Sequence, residues 1–246
     1  MDFSLHISQL NQYRASTTVG ALVNGHAQFT LEKPSEPKLD WLKPMQRRRL
    51  STFAKLGLHC AQATMGELDT KVDTVFSSRH GDLHKTSELL ADLANDEPLS
   101  PTTFSLSVHN AVAGLYSIFT RNTAPNTAIS SGKDTFFMAM LDAYCKLKSG
   151  VAEQILLVHI DRVLPTPYEI YADETQVDHA VSCLLTLPND KKDVVSFISR
   201  PVGDVRQGDF LPQSLAFADW FQAETANEKL ALNGARYAWQ VEKLHA

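Results

Sequence analysis

NTAISSGKDTFFMAMLDAYCKLKSGVAEQILLVHI, residues 126–160, decides the fold class. Residues 126–130 read as a short strand, and residues 131–148 as a long helix with Gly150 just beyond its end. Residues 154–160, QILLVHI, are an apolar run that suits a buried strand. The connection between the two strands is long enough for a parallel crossover. Ser131 and Asp134 stand at capping-box spacing: the Ser131 hydroxyl is expected to accept an amide hydrogen bond while Asp134 reaches back. The helix dipole favours the charge of Asp134 and disfavours that of Lys133, so Lys133 is expected to engage Asp134 or a partner chain.

Working outward, residues 3–8 alternate and read as a strand, while residues 11–33 carry no clear period. Pro34, Pro37 and Pro44 punctuate a loop. Residues 47–68 read as a helix with Leu50, Phe53, Leu56, Leu58 and Ala61 on its apolar side, and the basic run 47–49 as a solvated first turn. Residues 72–77 form a short strand and residues 86–93 a helix. Ser107 is expected to cap a helix in which Ala111 and Gly114 permit close backbone approach. Residues 180–187 and 194–199, separated by PNDKKD, read as an antiparallel hairpin. The tail from Pro212 reads as helical. The expected architecture is a single α/β domain over residues 1–246.

Composition narrows the function classes. The chain has 246 residues, 43% of them hydrophobic and 21% charged, which argues against wholesale disorder. Its formal charge of -5 weakens the case for a broad nucleic-acid or anionic-membrane surface. The longest charge-free stretch, residues 98–120, holds Pro101, His109, Asn110 and many hydroxyls and makes a poor membrane span. The first 14 residues lack a basic start followed by an apolar run, so no secretory signal is expected. Three cysteines without a CxxC read as reduced thiols of a cytoplasmic protein.

No motif names a chemistry by itself. His80 and His84 flank Gly81, which argues against a shared helix and a metal, and no cofactor fingerprint is present. GKD at 132–134 lacks the glycine spacing of a phosphate-binding loop. Cys60, Cys145 and Cys183 read as packing residues, and His109 as a structural hydrogen-bonding partner of Asn110.

Residues 107–134, SVHNAVAGLYSIFTRNTAPNTAISSGKD, nevertheless resemble the central region of β-ketoacyl synthases of the thiolase-like superfamily. The family's Asn–x–x–Ala–Gly–x–x–Ser–Ile helix is matched by Asn110, Ala113, Gly114, Ser117 and Ile118. Ala124–Pro125 match its loop and Thr127–Ser130 its short strand. Counting on from Pro125 and back from Gly150 puts Lys133 where the family carries its nucleophilic cysteine. The resemblance covers most of residues 40–165. SSRHGDLHKTSELLADLANDEPLSPTTFSLSVHNA is similar to the chain-length-factor-like partner found in bacterial aryl polyene clusters.

That resemblance implies a truncated thiolase-like fold: a mixed, mostly parallel sheet flanked by helices, equivalent to the family's N-terminal half. Lysine cannot form the thioester, and the two family histidine motifs are not seen around His179 or His245. The implied role is a non-catalytic subunit that pairs with a full-length β-ketoacyl synthase and meets acyl carrier protein through it. His109, Asn110, Gly114, Asn126, Ile129, Ser130, Lys133 and Asp134 are the structural or interface candidates. Tyr116, Phe119, Phe136, Phe137 and Met140 are the tunnel-lining candidates. The alternatives are an acyltransferase or hydrolase using Ser130 or Ser131 with His109 as base, and a homodimeric carrier-binding scaffold.

Overall fold

The computed structural model describes residues 1–15, 17–23, 26–31, 37–66, 71–188, 194–202, 211–223 and 229–244. In chain order the strands are β1 (Asp2–Arg14), β2 (Thr17–Val23), β3 (His26–Leu31), β4 (Asp73–Ser77), β5 (Asn126–Ile129), β6 (Ile155–Asp161), β7 (His179–Thr186), β8 (Val194–Pro201), β9 (Lys229–Asn233) and β10 (Tyr237–Leu244). The helices are α1 (Pro44–Arg47), α2 (Thr52–Met65), α3 (Leu83–Ala94), α4 (Pro101–Ser107), α5 (Ala111–Thr120), α6 (Thr135–Lys148) and α7 (Gln213–Gln222). None of them is long and apolar enough to cross a membrane.

Eight strands form one mixed sheet in the order β5-β4-β6-β7-β1-β8-β10-β9, and β2 and β3 form a separate ribbon. The expected strand–helix–strand unit is present: β5 and β6 both run parallel to β4, which lies between them, and α6 is the crossover. The sheet is mixed, but its balance is the reverse of the one expected. The pairings β6–β7, β7–β1, β1–β8, β8–β10 and β10–β9 are all antiparallel. The expected 180–199 hairpin does not form, because β1 is inserted between β7 and β8. The turn at 189–193, Pro34 and His245 lie outside the described residues.

Side-chain parity explains why QILLVHI carries no alternation. Ile155 and Leu157 enter one core, with α6, α7 and the aromatic residues Phe136, Phe137, Phe197, Phe217 and Trp239. Leu156, Val158 and Ile160 enter the other, with α2 and α5. A strand covered on both faces keeps apolar residues at every position except where function or a hydrogen-bond partner intervenes.

Three local expectations are corrected. Ser107 does not cap the helix that carries Ala111 and Gly114: it ends α4, and Asn110 precedes α5 without a side-chain cap bond. A Cβ on Gly114 would meet nothing within 4 Å, so no close backbone approach depends on that glycine. A glycine is needed instead at Gly57 of α2, where a Cβ would lie 2.2 Å from the side-chain atom Ile160 Cδ1. The tail is helical only through α7 and then returns as the β9–β10 pair, which puts Trp239 in the core.

Candidate functional site

The head of α6 is reached from β5 through a single 3-10 turn, Gly132–Asp134. Gly132 has φ +59, a left-handed conformation that a side chain resists. The capping box does not form. Thr135 takes over that work: its Oγ1 accepts from the Ser131 amide at 2.8 Å and donates to Gly132 O at 2.6 Å. Asp134 is fully buried and turned away from the helix. Its Oδ2 accepts from the amides of Ala235 at 2.9 Å and Arg236 at 2.8 Å, and its Oδ1 accepts from Trp239 Nε1 at 3.0 Å.

Lys133 therefore does not engage Asp134. Its Nζ donates to the Asp173 carbonyl at 2.9 Å and lies 3.3 Å from the Asp173 carboxylate. Arg79 makes two bonds to that carboxylate, at 2.8 and 3.0 Å, and lies 3.1 Å from Glu174. Burial pushes Asp173 up, but Arg79 and then Lys133 hold it below its ordinary value. Burial keeps Glu174 above its ordinary value despite the opposing charge of Arg79.

Beneath this charged cap lies a cavity of about 10 Å³, room for about one water molecule. Its walls include Lys133, Phe136, His159, Asp161, Gln213 and Ser214. His159 and Asp161 are two apart on β6, on the same side of the sheet as Ile155 and Leu157. Asp161 is paired in register with His179 of β7. This cross-strand register collects His159, Asp161 and His179, each buried, with one ligand atom from each within 4.8 Å of the others.

The cluster is densely hydrogen-bonded. His159 Nε2 lies 3.1 Å from Asp161 Oδ2, and its Nδ1 lies 3.0 Å from Ser77 Oγ. Asp161 also accepts from Ser78 Oγ at 2.8 Å and from the amides of Arg79 and His80. Burial alone would raise the Asp161 carboxyl, but His159 and these donors hold it far below the carboxylate range. His179 donates Nδ1–H to Val177 O at 2.8 Å, and its Nε2 meets Ser214 Oγ at 2.9 Å. Burial, reinforced by His159, lowers His179 to about 4, so its ring is neutral near pH 7.

The other candidates are dispersed. His109 Nε2 bonds to Ser78 O at 2.9 Å rather than to Asn110. Ser130 Oγ donates to Arg79 O at 3.1 Å, so neither Ser130 nor Ser131 is hydrogen-bonded to His109. Asn126 and Ser130 are exposed, and Ile129 packs partly against the α6 core. Phe136, Phe137 and Met140 are buried in that core; Tyr116 is buried and Phe119 partly buried in the α2–α5 core. His84 bonds to Val163 O at 2.8 Å and lies outside the buried histidine cluster. Sequence reading missed that cluster. Its only linear trace is H-x-D at the end of an apolar strand and a histidine opening the next.

The family model described as "Beta-ketoacyl synthase, N-terminal domain" matches residues 24–240. No curated protein matches the chain by sequence. Among solved structures, the chain resembles one from a ketosynthase in complex with its chain length factor, from Xenorhabdus doucetiae. The identity is 24% over 98% of this chain and 100% of that chain, with a TM-score of 0.76. The ishigamide ketosynthase/chain length factor aligns at 14% identity over 66% of this chain and 52% of that chain, with a TM-score of 0.56. A chain from a type II polyketide acyl-carrier protein in complex with its ketosynthase aligns at 12% identity, covering 83% of this chain and 71% of that chain, with a TM-score of 0.58. At these identities the likeness is one of fold.

Proposed function

The chain belongs to the β-ketoacyl synthase family, whose N-terminal domain it matches, and on that premise we propose that it is a non-catalytic, chain-length-factor-like subunit of a ketosynthase complex. One observation carries the reading. At the α6 head, where the family resemblance expects an acyl-accepting cysteine, stands Lys133, tied to Asp173. A condensing enzyme needs a thiolate there, and helix N-termini help to lower a thiol pKa. Cys145 sits ten residues into α6, about 15 Å along the axis from its first residue. Cys60 is buried in the core, and burial pushes its thiol up to about 12; Cys183 is raised in the same way.

In this reading the partner is a full-length β-ketoacyl synthase, docked along the open edge of the sheet. β5 ends the sheet and pairs only with β4 among the described strands. Neighbouring α5 packs on β4 and β5 and leaves Ile118 71% exposed. Val108, just before α5, is also exposed. Obligate interfaces of this kind bury about 2,000–5,000 Å². The complex would act in the cytoplasm on chains held by acyl carrier protein, with aryl polyene or related polyunsaturated lipid synthesis as its setting.

The test is co-expression with a full-length β-ketoacyl synthase. The expected result is a stable heterodimer on size exclusion, with acyl transfer to the ketosynthase cysteine unchanged by Lys133→Ala. A monodisperse chain that never associates, or one that itself becomes acylated in intact-mass measurements, would overturn the reading.

A further inference from the structure

We propose that His159, Asp161 and His179 form a binding site for one divalent first-row transition-metal ion, with Zn²⁺ the best match to two imidazoles and one carboxylate. The ligand set comes from sheet register, not from a linear motif. His159 and Asp161 lie on one face of β6, and His179 lies opposite Asp161 on β7. The three ligand atoms converge within 4.8 Å, and the His159–Asp161 pair is already at 3.1 Å. Bonds of about 2.0–2.2 Å to one Zn²⁺ draw such atoms together by small side-chain rotations.

The groups behind the ligands are those a metal site requires. Ligating histidines generally commit their outer N–H to a carbonyl, carboxylate or hydroxyl, which fixes tautomer and ring orientation. His179 does this through Nδ1–H to Val177 O, which leaves Nε2 without a proton in the neutral ring; its lone pair accepts from Ser214 Oγ at 2.9 Å, a bond that a metal would displace. Ser77 Oγ is placed to do the same for Nδ1 of His159. Metal entry replaces the Nε2–H bond from His159 to Asp161; the ring proton moves to Nδ1 and is accepted by Ser77 Oγ. Asp161 is meanwhile oriented by Ser78 Oγ and two backbone amides.

A second observation points into the same place. Gln213 is 7% exposed, lines the cavity beside His159, Asp161 and Ser214, and among the described residues has no hydrogen-bond partner for its amide nitrogen or its carbonyl oxygen. Buried amides are rarely left so. The cavity holds about one water, and a metal-bound water in the fourth position would give Gln213 its partner. Charge is permissive: the cations Arg79 and Lys133 are paired with Asp173 and Glu174. A metal-free network with a plain water in the cavity would make the same contacts, and metal titration separates the two.

The full chain, stripped with a chelator and confirmed folded by circular dichroism, is titrated with Co²⁺ and Zn²⁺. The expected result is one equivalent bound, intense visible Co²⁺ bands of a four- or five-coordinate site, displacement of Co²⁺ by Zn²⁺, and a raised melting temperature. Ser77→Ala, which touches only the outer nitrogen of His159, should weaken binding about 10–100-fold while leaving the fold intact. Asp161→Asn and His179→Gln should abolish it, and His84→Gln should not. A folded wild-type chain that leaves Co²⁺ as its aquo ion overturns the proposal. So does uptake that survives His179→Gln or disappears in His84→Gln. Partner assembly is measured separately, so loss of either result is distinguishable from loss of the other.

Discussion

Replacing Gly234 by alanine should destabilise the chain only while Asp134 is present. A Cβ at Gly234 would lie 1.7 Å from Asp134 Oδ1, 2.4 Å from Cγ and 2.9 Å from Oδ2. The carboxylate must then leave its place, and three donors at 2.8–3.0 Å hold it there. Hydrogen bonds to charged groups contribute about 1.5–3 kcal/mol each but do not add fully. Removing the acceptor leaves three neutral donors to find other partners, at about 1–3 kcal/mol for each that stays unpaired. Asp134→Ala is therefore expected to cost about 3–5 kcal/mol, and Gly234→Ala about 3 kcal/mol. In the double variant the obstructing carboxylate is gone, so the glycine penalty should largely vanish, giving a coupling of about -3 kcal/mol. Urea unfolding of the four chains, followed by circular dichroism and tryptophan fluorescence, measures the cycle. Gly234→Ala within about 0.5 kcal/mol of wild type, the usual range for an innocuous substitution, would refute the reasoning. So would equal penalties in both backgrounds.

Three further outcomes follow from the same geometry. An aromatic thiol reagent should label Cys145 in the native chain and all three cysteines only after unfolding, because Cys60 and Cys183 are buried with raised thiol pKa values; native labelling of all three would contradict the packing. Asp173 opposes burial with the bonds of Arg79 and Lys133, and its folded pKa lies below the unfolded one. Its contribution is therefore present above the unfolded pKa of about 3.9 and lost as pH falls through the folded value. The stability gap between wild type and Asp173→Asn should be widest near neutrality and close in acid; a gap that widens as pH falls would refute this. Phe137→Ala removes a ring packed on Phe197, Phe217 and Trp239 and should cost about 3–5 kcal/mol by calorimetry, with a loss under 1 kcal/mol arguing against its place in the core.

What the sequence made legible was local. The α6 crossover could be read because its signals are consecutive: a short strand, a helix period, Gly150, an apolar run. The site could be placed but not drawn. Ser131 and Asp134 carry capping-box chemistry, yet the turn after β9, about a hundred residues on, offers Asp134 better donors, and tertiary bonds override the local pattern. Lys133 finds Asp173 forty residues away. The 180–199 hairpin failed because adjacent strands in sequence need not pair when an earlier strand supplies a better apolar match. His159, Asp161 and His179 were invisible for the same reason: only the β6–β7 register makes them neighbours.

The insertion of β1 between β7 and β8 also sets a timetable for the chain. Leu5 pairs with Val195, so the strand made first waits for one made much later. At about 5–20 residues per second on the ribosome, that wait is about 10–40 s. Until β7 is made at residues 179–186, Phe3, Leu5 and Ile7, all buried in the finished protein, have no neighbouring strand of the sheet to pair with. Non-local pairing of this kind folds slowly and exposes apolar strand to wrong partners. The strand that joins the two halves of the sheet thus waits for its partners through most of the chain's synthesis, a client for whatever shields unpaired strands in the cell.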